Sequence, residues 1–198
     1  CERSLEIVGQ DYLDLYLIHW AQPALGRYRE SWEALVELRE RGLVRSIGVS
    51  NFTAAQLDDI ITDTGVTPVV NQIEVHPYLA QTQAAEDHAA RNILTESWSP
   101  LGYGLELGDE TLGKLAAARG VGVAELMIAW HVARGFVVIP KTETPARMAS
   151  NFVAQFLPLT PAEVETISAL DCGHRLGGDP AEGDVGAPTY SDRRSFTA

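Results

Sequence analysis

An α/β fold built on a parallel sheet is the architecture this sequence predicts, and three observations predict it. Five short apolar segments, YLDLYLIHW, LVRSIGVSNF, PVVNQIEV, ILTESWS and FVVIP, alternate with segments of helical periodicity. They begin near residues 12, 44, 68, 92 and 136, and spacings of 32, 24, 24 and 44 residues suit strand-helix-strand units with parallel strands. In the first segment seven of the nine residues are apolar or aromatic, as expected of a strand covered on both faces. Five such strands fit either an open doubly wound sheet or part of an eight-stranded barrel.

Each element has a local reason. ERSLEIV carries Leu5 and Val8 at helical spacing and stops at Gly9, a residue suited to a helix C-terminus. The strand from Tyr12 to Trp20 ends on His19, and alternation places Leu13, Leu15 and Leu17 on the face His19 would share if it points inward. Asp14 inside that strand needs a partner the sequence does not name. A helix over Tyr28 to Arg41 puts Tyr28, Trp32, Leu35 and Leu38 on one face, with Gly42 closing it. After the strand ending near Ser50, Thr53 and Gln56 form a capping box, and Phe52 with Leu57 a hydrophobic staple, for a helix ending near Gly65. Further helices are expected over Thr82 to Arg91, Asp109 to Arg119 and Val123 to Arg134. Thr144 is placed to cap a short helix with Pro145 first. Thr160, Pro161 and Glu163 open the last helix with a second capping box, and Leu159 with Val164 supply its staple.

Composition narrows the function classes. The net charge of −12 argues against nucleic acid as a partner, which requires a basic face to displace counterions. No apolar run approaches the roughly 20 residues of a membrane helix. Cys1 and Cys172 are too few for a disulfide framework, which fits a reducing, cytoplasmic setting. At 198 residues one domain is expected, with residues 1–172 forming it and 173–198, rich in Gly, Pro, Asp and Ser, a loop or tail. That tail either hangs free or folds over a site at the strand ends.

Polar residues gather where strands stop: His19 and Trp20, Ser50 and Asn51, Asn71 and Gln72, Trp98 and Ser99, Lys141 and Thr142. In a barrel these ends share one mouth. Ser, Asn and Gln can surround a carboxamide, an indole can stack on a flat ring, and Lys141 with Arg147 at a helix N-terminus can hold a phosphate. Lys141 is one of only two lysines, and read alone it could instead be a Schiff-base lysine. His19 read alone is equally a satisfied core histidine. Gly102, Gly104 and Gly108 do not have GxGxxG spacing, which speaks against a Rossmann loop. His76, His88, His131 and His174 show no metal-ligand spacing. Glu74 and Asp11 are either acids of another mechanism or paired structural groups.

Through DLYLIHW, GLVRSIGVSNF, NQIEVHPYL, WSPLG and VIPKTETPARMASN the chain resembles the aldo-keto reductase family. The resemblance implies a (β/α)8 barrel that binds NADPH without a Rossmann fold and reduces a small aldehyde or ketone. His19 then matches the histidine that polarises the carbonyl, and Trp20 the substrate pocket. Ser50, Asn51 and Gln72 match the carboxamide site, and Trp98 the ring that stacks on the nicotinamide. Ser99 and Leu101 fall where the pyrophosphate is covered. Lys141, Thr142 and Arg147 match the clamp on the 2′-phosphate, and Asn151 an adenine contact, although Ser150 stands where Glu or Gln is usual. Trp98 and short loops look most like the bacterial branch that includes 2,5-diketo-gluconate reductases. The family also needs a tyrosine acid, a lysine and an aspartate on its first three strands, so the chain is expected to be a partial barrel, about five of eight strands, inactive alone, with the full-length form a monomer. The alternative is a non-catalytic cofactor-binding or regulatory protein on the same fold.

Overall fold

The computed structural model describes residues 1–183; the rest of the expected tail lies outside the described residues. The elements are α1 (Glu2–Val8), β1 (Leu13–Ile18), α2 (Tyr28–Glu40), β2 (Val44–Ser50), α3 (Ala54–Thr64), β3 (Val70–Glu74), α4 (Thr82–Ala90), β4 (Leu94–Trp98), α5 (Glu110–Arg119), α6 (Val123–Ala133), β5 (Val137–Val138), α7 (Pro145–Ala154) and α8 (Pro161–Ser168). Short 3-10 turns at Pro23–Leu25 and Gly102–Gly108 were not legible in advance. The sheet has strand order β1-β2-β3-β4-β5, with parallel pairing, so the α/β expectation holds. The described residues fall into two compact units, one of residues 1–73, 83–94 and 178–183, the other of 74–82 and 95–177.

In the first unit β1 pairs with β2 in the register Leu13 to Val44 and Ile18 to Val49, and β2 continues to β3 through Val49 to Asn71 and Ser50 to Gln72. Gly48 is required by that packing: a Cβ there would lie 2.7 Å from Val70 Cγ1 and 2.8 Å from Leu17 Cδ2. Helix α2 buries Trp32 and Leu35, and with Val44, Ile47, Val49, Phe52, Leu57, Ile60 and Ile93 they form one apolar core. The capping box of α3 forms as its sequence predicts, with Thr53 accepting from the Gln56 amide and Gln56 reaching back to the Thr53 amide. Gly65 ends that helix at φ 68°, the left-handed conformation glycine adopts without penalty. Thr53→Ala is expected to lower stability by about 1 kcal/mol, read as a shift in urea midpoint; no shift would mean the cap is replaced by solvent.

The first strand corrects an expectation. It is shorter than Tyr12 to Trp20 and is not covered on both faces: Tyr16 and Ile18 pack against the core, while Leu15 on the alternate face is 40% exposed. Asp14 finds Arg45 at 3.0 Å on the surface, and Arg45 also lies over the Tyr12 ring.

In the second unit α6 runs between α5, α7 and α8 and is buried from Leu126 through His131. Asp109 caps α5 through the Leu112 amide. The α8 box forms on Thr160 and Glu163, and Glu163 also holds Arg119. Two further expectations change. The segment FVVIP yields a strand of only two residues, because the turn at Gly135 precedes it and Pro140 has no amide to donate. Thr144 precedes α7 but its side chain makes no capping hydrogen bond; its own amide donates to Thr142 Oγ1 at 3.2 Å. Beside α7 lies an open groove of about 600 Å³ lined by Ile128, Phe136, Val138, Thr142, Met148 and Phe152 among others. Among the described residues no single helix is long and apolar enough to cross a membrane.

Candidate cofactor and active site

The ends of β1, β2 and β3 converge through one polar residue. Asn51 follows β2 with φ 58°, a conformation asparagine tolerates better than most side chains, and is only 3% exposed. Its Nδ2 donates to the His19 carbonyl at 3.1 Å and to Ser50 Oγ at 3.0 Å. Ser50 in turn donates to the Gln72 carbonyl at 2.7 Å. Asn71 fastens the next turn: Nδ2 donates to the Phe52 carbonyl at 2.9 Å, and its oxygen accepts from the Phe52 amide. The second Nδ2 hydrogen faces His88 Nε2 at 2.9 Å, which requires that nitrogen unprotonated. Burial of His88 agrees, holding its pKa down at about 4. Five of the sequence-derived residues, His19, Trp20, Ser50, Asn51 and Gln72, therefore share one strand-end cluster. His19 differs from expectation in orientation: its ring is exposed, edge-on to Trp20 with centroids 6.4 Å apart, rather than buried among the leucines. Ile18 is the last ladder residue, so His19 escapes the alternation that governs the strand.

The second unit gathers the others. β4 pairs with β5 through Glu96 to Val137 and Ser97 to Val138, so Trp98, Ser99 and Leu101 leave the sheet beside the stretch reaching Lys141 and Thr142. Ser99 has φ 49°, which turns the chain sharply after the indole. Lys141 Nζ holds Glu143 at 2.6 Å on the surface. Arg147 is in the first turn of α7 and exposed, and Asn151 lies one turn further along the helix, on the groove beside Thr142.

One cluster was missed in the sequence. Glu74, His76 and Glu106 are all buried, with His76 Nδ1 2.5 Å from Glu106 and Nε2 3.1 Å from Glu74. Burial alone would lower the His76 pKa, but the bonds to Glu106 and then Glu74 outweigh it and lift it to about 9, so the ring is a cation between two carboxylates. Glu106 also accepts from the Tyr78 amide at 3.2 Å, and the Tyr78 hydroxyl donates to Asp109 at 2.9 Å. A glutamate at the end of an apolar strand signals that a partner must exist; His76 lies two positions on, but Glu106, which pins that ring, and the amides that meet the Glu74 oxygens lie about thirty and a hundred positions away. Among the described residues no group of three or more His, Cys, Asp or Glu side chains could hold a metal ion.

Against known proteins, residues 1–171 match the profile of the aldo/keto reductase family. The chain belongs to that family. It is 46% identical over 181 residues to methylglyoxal reductase DkgA of Yersinia pestis and 44% identical over 179 residues to an aldo-keto reductase of Mycolicibacterium smegmatis. Each alignment covers 90% of this chain and 65% of the relative, so the chain spans about two thirds of their length. Among solved structures, an aspartate-to-alanine mutant of Gox0644 in complex with NADPH superposes with a TM-score of 0.88 at 46% identity, over 91% of this chain and 67% of that one. The aldo-keto reductase of Brucella melitensis gives 0.81 at 44% identity, over 86% and 65%.

Proposed function

We propose that the chain carries the cofactor-binding part of an NADPH-dependent carbonyl reductase, about five of the eight strands of a (β/α)8 barrel. One observation carries the reading. Lys141 and Arg147 stand at the start of α7, whose cap residue Thr144 offers its first-turn amides no side-chain acceptor, and Lys141 pairs with an anionic oxygen, that of Glu143, at 2.6 Å. Two cations and a helix N-terminus form a donor set suited to a phosphate dianion, so the residues present fit the 2′-phosphate of NADPH. When bound, that cofactor supplies a hydride.

The chain's own residues then divide the remaining tasks. In the second unit Trp98 offers a flat apolar ring for the nicotinamide, Ser99 and Leu101 cover the pyrophosphate, Thr142 supports the phosphate clamp and Asn151 meets the adenine. In the first unit Ser50, Asn51 and Gln72 hold the carboxamide, His19 donates a hydrogen bond to the substrate carbonyl, and Trp20 lines the substrate's path. The exposed ring of His19 leaves it accessible to a carbonyl oxygen. Relatives named methylglyoxal reductase make a 2-oxoaldehyde the first substrate to try, with 2,5-diketo-gluconate second. The tyrosine that protonates the alkoxide, with its lysine and aspartate, is assigned to the third of the relatives' length that this chain does not span, so little turnover is expected. A monomer in a reducing, cytoplasmic setting suits Cys1 and Cys172, both free thiols.

Calorimetric titration with NADPH and NADH tests this. Lys141→Met and Arg147→Met should each weaken NADPH about tenfold to a hundredfold, the worth of a charge-assisted bond, and leave NADH nearly unchanged. Equal losses for both cofactors would remove the phosphate assignment. A second reading is a non-catalytic cofactor-binding protein on the same fold. It predicts NADPH binding with no methylglyoxal reduction even when the remaining third is supplied in trans.

A further inference from the structure

Glu74 closes β3 as a fully buried carboxylate whose partners have an unusual origin. The amides of Leu176 and Gly177 donate to its two oxygens at 2.5 and 2.9 Å, and the Arg175 guanidinium stands 3.9 Å away. On its other side His76 Nε2 lies 3.1 Å from it, and the same ring is pinned by Glu106. The carboxylate is thus fixed in orientation by the imidazole and presents both oxygens to a backbone segment more than a hundred positions away.

What that segment touches gives the arrangement its meaning. The carbonyl of Tyr78 accepts from the Cys172 and His174 amides and brings the chain to Glu74. At Gly177 a Cβ would lie 2.5 Å from Cη2 of Trp98, 3.1 Å from its Cζ2 and 3.1 Å from Glu74 Oε2. Only glycine fits, and its backbone is pressed between the indole and the carboxylate that holds it.

We propose that Glu74 is a positioning residue for Trp98: by clamping the Leu176 and Gly177 amides it holds the Gly177 backbone against the benzenoid ring and fixes the orientation of the indole. The consequence for the cofactor rests on the reading above, in which Trp98 stacks on the nicotinamide. The orientation of the ring is a property of the chain itself, which makes the two separable.

Two variants of the chain test it. Gly177→Ala leaves Glu74, His76 and Glu106 intact and inserts a methyl group at the contact, whereas Glu74→Gln removes the charge of the clamp. The Trp98 signal is isolated by subtracting a Trp98→Phe chain and read by near-ultraviolet circular dichroism and acrylamide quenching. In Glu74→Gln the Leu176 and Gly177 amides should exchange with solvent at least about tenfold faster, as expected on loss of a charged acceptor. Both variants should raise quenching of Trp98 and weaken NADPH. In the Trp98→Phe background Gly177→Ala should alter NADPH affinity by less than about twofold, because the ring it acts through is gone. A purely structural role for Glu74 would shift the unfolding midpoint and leave the Trp98 signal of a folded Glu74→Gln chain unmoved, and that result overturns the proposal. Should Glu74→Gln fail to fold, a folded Gly177→Ala chain with an unmoved Trp98 signal overturns it instead, because the Gly177 contact would then not set the ring. Should the wild-type chain not bind NADPH, the cofactor reading falls and the Trp98 signal alone decides this one.

Discussion

Stability of the chain is expected to peak near pH 6.5 and to fall on both sides, for opposite reasons carried by three buried histidines. His76 has its pKa raised from 6.5 to about 9 by Glu106 and Glu74. Its contribution is fully present below pH 6.5 and is lost as pH rises through about 9, when the ring between two carboxylates goes neutral. The loss is of order 3 kcal/mol, at about 1.4 kcal/mol per unit. His88 and His131 run the other way. Burial lowers them to about 4 and about 3, so both cost nothing above pH 6.5 and destabilise the native state as pH falls below it. Protonating His88 also breaks its bond to the Asn71 amide, which anchors the turn after β2. Urea unfolding at pH 4.5, 6.5 and 9 checks the curve. A flat profile from 6.5 to 9 would mean His76 is not held as a cation. In His76→Leu that alkaline limb should vanish, at a penalty of about 3–5 kcal/mol at pH 6.5 for two buried carboxylates left without their partner.

Trp130→Ala is expected to cost about 3–5 kcal/mol, and about ten degrees in unfolding midpoint for a chain of this size. The indole is fully buried in α6 and does three things there. It fills the space facing α8, its Nε1 donates to Ser168 Oγ at 3.0 Å, and its face carries the Arg134 guanidinium at 4.6 Å. Arg134 in turn donates to the Ala80 carbonyl at 2.7 Å, so the truncation loosens a second contact as well as opening a cavity. Ser168→Ala separates the terms: it leaves the ring in place and removes its hydrogen bond, together with the bond the Ser168 hydroxyl donates to the Val164 carbonyl at 2.7 Å, for about 1–2 kcal/mol. Calorimetry of both variants gives the comparison, and equal losses would contradict a packing role for the ring.

The features legible in the sequence are those whose causes are local. Thr53 with Gln56, Thr160 with Glu163, and Gly65 each act within one helical turn, and each forms as its neighbours require. The alternation that predicts parallel strands is likewise a property of short segments. The candidate site is legible in kind because side chains of matching chemistry recur at strand ends, and in the first unit Asn51 ties His19, Ser50 and Gln72 together. What fails is whatever depends on a distant partner or on none. The exposure of Leu15 and of the His19 ring depends on what covers that face of β1, and hydrophobicity along the strand carries no record of it. The length of β5 depends on the turn before it and the proline after it acting together. Thr144 looks like Thr53 and Thr160, yet it has no Gln or Glu three residues on to complete the box; Arg147 stands there instead. Glu74 announces a need for partners, but nothing near it indicates Leu176 or Gly177.

That separation governs the order in which the molecule can be completed during synthesis. A ribosome delivers Glu74 long before Leu176 and Gly177, which follow it by 102 and 103 positions. Until those amides emerge, the carboxylate keeps its water and the end of β3 stays wet, however well the helices of the first unit have already packed. Closure of the second unit around Glu74 is therefore a late event in the life of the nascent chain, completed by the arrival of Leu176 and Gly177.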